Sequence, residues 1–168
     1  MVYHSEKTGR KEDSVGFRNM DCSWVLIVDD NKLIAKALQV TLSHYLHIGR
    51  KDIRVMPDKN ICSKDEVSDF LRNQSHKYNI ILNANCSFSK NNLEISYEGI
   101  RLLQMIYENY DKHNTSKKPI IISFQSLRSL KNNSDSSCKI LLRNEQFYSF
   151  HQLPIKVDIF SDLTKKEV

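Results

Sequence analysis

Two adjacent aspartates, Asp29 and Asp30, close a short apolar run, Trp24-Val25-Leu26-Ile27-Val28. The run is rich in β-branched residues and has no polar interruption, which suits a strand covered on both faces, as in a parallel sheet. Carboxylates at the end of such a strand can hold a hard cation such as Mg²⁺ through oxygen, or supply an aspartate nucleophile. A plainer role competes with both, since Asp30 or Asn31 can cap the helix that follows. What the other strands bring to the same end decides between these roles.

Those strands are legible from the spacing of apolar residues. Leu33, Ile34, Ala37, Leu38, Val40, Thr41, Leu42, Tyr45 and Leu46 recur at intervals of three and four, an amphipathic helix ending near Gly49. Ile53–Met56 reads as a second strand closed by Pro57, and Ser63-Lys64-Asp65-Glu66 as a capping box opening a second helix. Tyr78–Asn83 is the third strand, 85–97 a polar loop, and Gly99–Tyr110 the third helix. Pro119–Phe124 is predicted as the fourth strand, Ser134–Arg143 as a short helix, Gln146–Phe150 as the fifth strand and 158–168 as a last helix. Residues 1–22 form a polar N-terminal extension without periodicity, and 23–168 form the folded domain. Strand and helix alternate five times. The predicted fold is α/β, a doubly wound five-stranded parallel sheet with helices on both faces. Function in such sheets sits in the crevice beyond the carboxyl ends of the strands.

The residues at those ends resemble a known family. Val25-Leu26-Ile27-Val28-Asp29-Asp30-Asn31 is similar to the first strand of response-regulator receiver domains of two-component signalling, which share the flavodoxin-like topology. Pro119-Ile-Ile-Ile-Ser123 resembles their fourth strand, and Leu153-Pro154-Ile155 their Lys-Pro-hydrophobic turn. The resemblance implies a Mg²⁺ site on the first-strand acids and a third-strand aspartate that takes phosphate from a histidine. It also implies a fourth-strand hydroxyl and a lysine that grip the phosphoryl oxygens. Asp29 and Asp30 match the acids, and Ser123 matches the hydroxyl about one residue out of register. The acceptor position falls on Asn83 or Ala84, and Leu153 stands in place of the lysine. An amide or a methyl forms no acyl phosphate, and a leucine offers phosphate no charge.

The implied protein is a degenerate receiver, or pseudo-receiver: a protein-interaction module that is no enzyme, needs no cofactor and binds Mg²⁺ weakly at most. The implied partner is a histidine kinase, a phosphotransfer domain, an output domain or a second copy of the chain. The alternative is a receiver that still accepts phosphate at a displaced acid. Its expected interaction face carries Leu141, Leu142, Phe147, Tyr148 and Phe160, enough large apolar groups to leave a contiguous exposed patch. Within the implied crevice, Pro154 is expected to follow a cis bond.

Other chemistries fit less well. A phosphatase of the haloacid-dehalogenase type needs a second aspartate two positions after the first, where Asn31 and Lys32 stand. The only glycines are Gly9, Gly16, Gly49 and Gly99, so neither a dinucleotide fingerprint nor a P-loop can be written. Cys22, Cys62, Cys86 and Cys138 form no CxxC pair, and His44 and His47 have no further ligand at metal spacing. The net charge of +5 is dispersed among acids, unlike a nucleic-acid footprint. No apolar run approaches the roughly 20 residues of a membrane span. With no secretory signal in the first residues, a cytoplasmic location is predicted.

Overall fold

The computed structural model describes residues 23–88, 98–133, 136–154 and 156–164. The extension predicted over 1–22 and residues 89–97 of the polar loop lie outside the described residues. β1 (Val25–Val28) is an inner strand of the sheet, between β2 (Ile53–Met56) and β3 (Asn79–Asn83). β4 (Ile120–Ser123) and β5 (Ser149–Gln152) extend it beyond β3. The five strands are all parallel, in the order β2-β1-β3-β4-β5. This is the flavodoxin-like order, whose direction of winding reverses between β1 and β3.

Alternation along each strand feeds two separate cores. Val25 and Ile27 join Ile81, Ile120 and Ile122 against α1 (Lys32–Leu46) and a 3₁₀ segment, Val157–Thr164, which contribute Leu42, Leu46 and Phe160. Leu26, Val28, Ile80, Leu82 and Ile121 face the opposite layer, made by α2 (Lys64–Gln74), α3 (Glu98–Lys112), α4 (Leu127–Asn133) and α5 (Ser136–Arg143). All four residues of β1 are buried, as a strand covered on both faces requires. Among the described residues no helix is long and apolar enough to cross a membrane.

The local signals read from the sequence operate as expected. Asn31 caps α1, its Oδ1 accepting the Leu33 and Ile34 N–H groups at 3.1 and 3.2 Å. Ser63 and Glu66 form the capping box of α2: Ser63 Oγ accepts the Glu66 N–H at 3.2 Å, and Glu66 Oε2 accepts the Ser63 N–H at 2.9 Å. Three boundaries differ from expectation. α4 was hidden in a polar stretch with one turn of apolar spacing, Leu127 and Leu130; Ser126 opens it by accepting the Ser129 N–H at 3.2 Å. β5 begins at Ser149 rather than Gln146, because the ladder to β4 starts at the Ser149 N–H to Pro119 carbonyl bond of 2.9 Å. Glu145–Phe147 is instead a 3₁₀ turn, and the last segment is 3₁₀ rather than α-helical.

The expected exposed patch does not form. Leu141, Leu142, Tyr148 and Phe160 are all at most 8% exposed, and half-buried Phe147 lies against Tyr107 with ring centroids 4.5 Å apart. Leu141, Leu142 and Tyr148 enter the core beside α3, while Phe160 enters the one under α1. The Tyr148 hydroxyl donates to the Leu142 carbonyl, and burial pushes its pKa up to about 12. Among the described residues, the large apolar side chains left in solvent are Leu33, Val40 and Tyr45 on α1, Phe124 after β4, and Ile140 on α5.

Candidate functional site

Strand register determines which side chains meet at the carboxyl edge. Val28 pairs with Leu82, so one step further Asp29 lies beside Asn83. Ala84 extends the β3 ladder, its N–H bonded to the Ile122 carbonyl at 2.9 Å, and its methyl is fully buried in the core. Of the two third-strand candidates, Asn83 is therefore the neighbour of the acidic pair.

Asp29 is 1% exposed, whereas Asp30 is in solvent. Asp29 Oδ1 accepts the Asn31 N–H at 2.9 Å, but among the described residues no donor reaches Oδ2. Burial raises the Asp29 pKa and the charge of Asp30 adds to the rise; the Asn31 N–H and the Asn83 amide oppose it. A chain of hydrogen bonds runs on from there. Asn83 Oδ1 accepts the Asn85 N–H at 2.9 Å, and Asn85 Oδ1 accepts the Ser123 hydroxyl at 2.8 Å and the Phe124 N–H at 3.3 Å. Ser123 Oγ in turn accepts the Gln125 N–H at 3.0 Å, while Gln125 Oε1 is buried without a donor.

Leu153 closes the edge, its N–H on the Ser123 carbonyl at 2.8 Å and its bond to the exposed Pro154 cis, as expected. A second cis bond, Met56–Pro57, was not foreseen. The structure thus gathers Asp29, Asp30, Asn83, Ser123 and the Leu153–Pro154 turn, and leaves Leu141, Leu142, Phe147, Tyr148 and Phe160 in the helical layers. Two carboxylates beside a neutral amide make a poor seat for Mg²⁺.

Four participants escaped the sequence reading. Asn85 opens the polar loop of 85–97, yet its side chain bridges β3 to β4. Glu98 pairs with Lys64 at 3.2 Å and accepts the Phe88 N–H at 2.6 Å. Buried Cys86 senses the local field: its thiol pKa is pushed well up by burial, then by Asp30, Asp29 and Glu98. Gly99 brings α3 close, since a Cβ there would lie 2.2 Å from the Asn83 carbonyl oxygen. An acid followed by a lone glycine at a helix start was the available signal.

The carboxyl of Asp29 costs stability. Its folded pKa lies above the unfolded value, so its ionisation is easier in the unfolded chain and folding weakens as pH rises through the folded pKa. The isosteric Asp29→Asn removes that cost. We expect a higher melting temperature at pH 7, the gain shrinking to nothing below about pH 4. A melting temperature lowered at pH 7 would contradict this account. No family model matches the chain, and no curated protein matches it.

Proposed function

We propose that this chain is a receiver-like domain that signals by binding another protein and does so without being phosphorylated. The observation that carries the reading is the amide of Asn83 beside Asp29, in the crevice where the winding of the sheet reverses. An amide nitrogen is no nucleophile for a phosphoryl group, and Leu153 before the cis proline supplies no cation to hold one. Asp29 and Ser123 support the reading as well, because both are occupied in backbone and side-chain bonds of the strand ends. The domain is not an enzyme in this reading, and ordinary packing holds it in one conformation with no ligand to shift the population.

Acetyl phosphate with Mg²⁺ tests the proposal directly. The intact mass should stay unchanged, and beryllofluoride should leave the amide spectrum of residues 29–31 and 83–86 as it was. A mass gain of one phosphate, labile to hydroxylamine, would sink the reading in favour of a displaced acidic acceptor.

A further inference from the structure

At the edge of the sheet opposite the acidic pair, α2 runs out at Gln74 before β3, and α3 at Lys112 before β4. The two connections are tied together there. His76 stacks on His113 with ring centroids 3.5 Å apart and planes within 4°, and Lys117 Nζ donates to the His76 carbonyl at 3.0 Å. His76 Nδ1 lies 2.8 Å from Asn109 Oδ1, and His113 Nδ1 lies 2.9 Å from the Asn109 carbonyl oxygen. Asn109 Nδ2 is engaged by the Arg72 carbonyl, so both of these oxygens only accept and both rings carry their proton on Nδ1. Each neutral ring then keeps a bare lone pair on Nε2, and among the described residues neither Nε2 has a hydrogen-bond partner.

The surroundings are positive. Burial lowers the His76 pKa, and the charges of His113, Lys77 and Lys117 lower it further, against its Asn109 bond. Lys112 and Lys118 adjoin them in sequence, and Lys77, Lys112, His113 and Lys118 are exposed. The last turns of α2 and α3 add Arg72, paired with Asp69 at 3.2 Å, Glu108, held by Gln104 Nε2 at 2.9 Å, and Asp111; β3 carries no charge. Basic residues past a helix end often do no more than complement its dipole, and two such ends amount to about one negative charge. With that and the three carboxylates counted, the cations keep an excess of about one charge while the histidines are neutral, and about three once both Nε2 atoms are protonated. Two stacked imidazolium rings beside lysines repel each other. An anion across both Nε2–H groups removes that penalty, so protons and anion bind together.

We propose that the His76–His113 stack and the lysines around it bind an acidic, carboxylate-rich segment of a partner protein, together with protons on the two Nε2 atoms. The inference rests on the interaction-module reading above and names the chemistry of the partner. A phosphate group is matched best by a guanidinium fork or by the N–H groups of a helix N-terminus. Here the guanidinium of Arg72 is paired and both helices present their carboxyl ends. Point cations spread over 76–77 and 112–118 suit several carboxylates in a row, and the charge of the chain is too dispersed elsewhere to track a nucleic acid.

Hexaglutamate with blocked ends is the probe, titrated at constant ionic strength and followed by the backbone amide and histidine ring resonances. Saturable shifts are expected at residues 75–77 and 112–118, half-saturated on the order of 1 mM near pH 6 and about tenfold higher near pH 7.5. The peptide should also move the midpoint of the His76 titration to higher pH. Lys77→Gln combined with Lys112→Gln, both at exposed positions, should weaken binding about tenfold. His113→Phe keeps a stacked ring without a proton to gain, so it should bind as the parent does near pH 7.5 and lose most of the gain at the lower pH. Binding no stronger at the lower pH, equal binding by the double lysine variant, or tighter binding of inorganic phosphate or hexathymidylate at matched ionic strength would each overturn the assignment. Formation of an acyl phosphate would overturn the proposed function and leave the hexaglutamate result standing. An unchanged mass with acetyl phosphate and no saturable shift with hexaglutamate would overturn the acidic-segment assignment alone.

Discussion

Gly99→Ala should cost this protein about 3 kcal/mol of stability, in spite of alanine being the better helix former. Alanine in a helix is favoured over glycine by about 1 kcal/mol, and an exposed helical glycine would repay the change. Gly99 is buried at the start of α3, and an added Cβ would sit 2.2 Å from the Asn83 carbonyl oxygen, 2.9 Å from the Ala84 carbonyl oxygen and 3.0 Å from the Ala84 carbonyl carbon. All three are backbone atoms of the end of β3, so no side chain can swing aside. Either α3 or the β3 terminus must move, and both carry buried core residues, Ile100, Leu103 and Leu82 among them. Overpacking of this kind typically costs 1–3 kcal/mol and more against rigid backbone, which outweighs the propensity gain. Urea unfolding of the two proteins measures it. An alanine variant as stable as the parent would mean that α3 does not approach β3 this closely.

Asn109→Ala should be comparably damaging, for a different reason. Asn109 is 3% exposed and joins three segments of backbone. Its Oδ1 accepts from Ser75 Oγ at 2.9 Å, from the His76 N–H at 2.7 Å and from His76 Nδ1 at 2.8 Å, and its Nδ2 donates to the Arg72 carbonyl at 2.8 Å. Truncation strands donors and an acceptor at the junction between the end of α2 and the entry to β3. Each stranded buried group costs about 1–3 kcal/mol, partly recovered if water enters, so a net loss of about 3 kcal/mol is expected. Thermal unfolding measures it, and a melting temperature unchanged within a degree or so would show that the junction is held by apolar contacts instead.

The same junction makes stability depend on pH. With Nδ2 directed at the Arg72 carbonyl, Asn109 Oδ1 can only accept, so His76 carries its proton on Nδ1. Its ring stacks on His113, centroids 3.5 Å apart and planes within 4°. Burial lowers the His76 pKa against the support of its Asn109 bond, and the charges of His113, Lys77 and Lys117 lower it further. A histidine with a depressed folded pKa contributes stability that is complete above its unfolded value, near 6.5, and lost as pH falls through the folded one. Between pH 7 and 5 the parent should therefore lose more of its melting temperature than His76→Phe, which keeps a stacked ring without a proton to gain. An equal loss in both proteins would assign the acid sensitivity to carboxylates elsewhere.

Strand existence and order were written in short-range pattern. β1 and β2 are brief apolar runs bounded by polar residues or proline, and the helices between strands carry their own caps at Asn31 and Ser63. These signals act over a few residues, so each segment specifies its own state before any partner is met. Alternation of five strands with helices then leaves few topologies, and the parallel sheet follows. The acidic pair at the end of β1 was visible for the same reason.

What depends on distant partners was not visible. Ser123 meets Asn85 across 38 positions of sequence, and Asn109 meets His76 across 33. Asn85 reads as a turn former until β4 is laid beside β3, and Gly99 reads as a helix start until the β3 carbonyls approach it. Leu142, Tyr148 and Phe160 are large and apolar in any context. Whether they cover a core or face a partner depends on how α3, α5 and the last 3₁₀ segment pack, and that packing buries all three. A pattern of residue types states which groups avoid water. Only the assembled layers decide which of them succeed, and here they leave Leu33 and Phe124 outside while Asp29, a charged residue type, is buried.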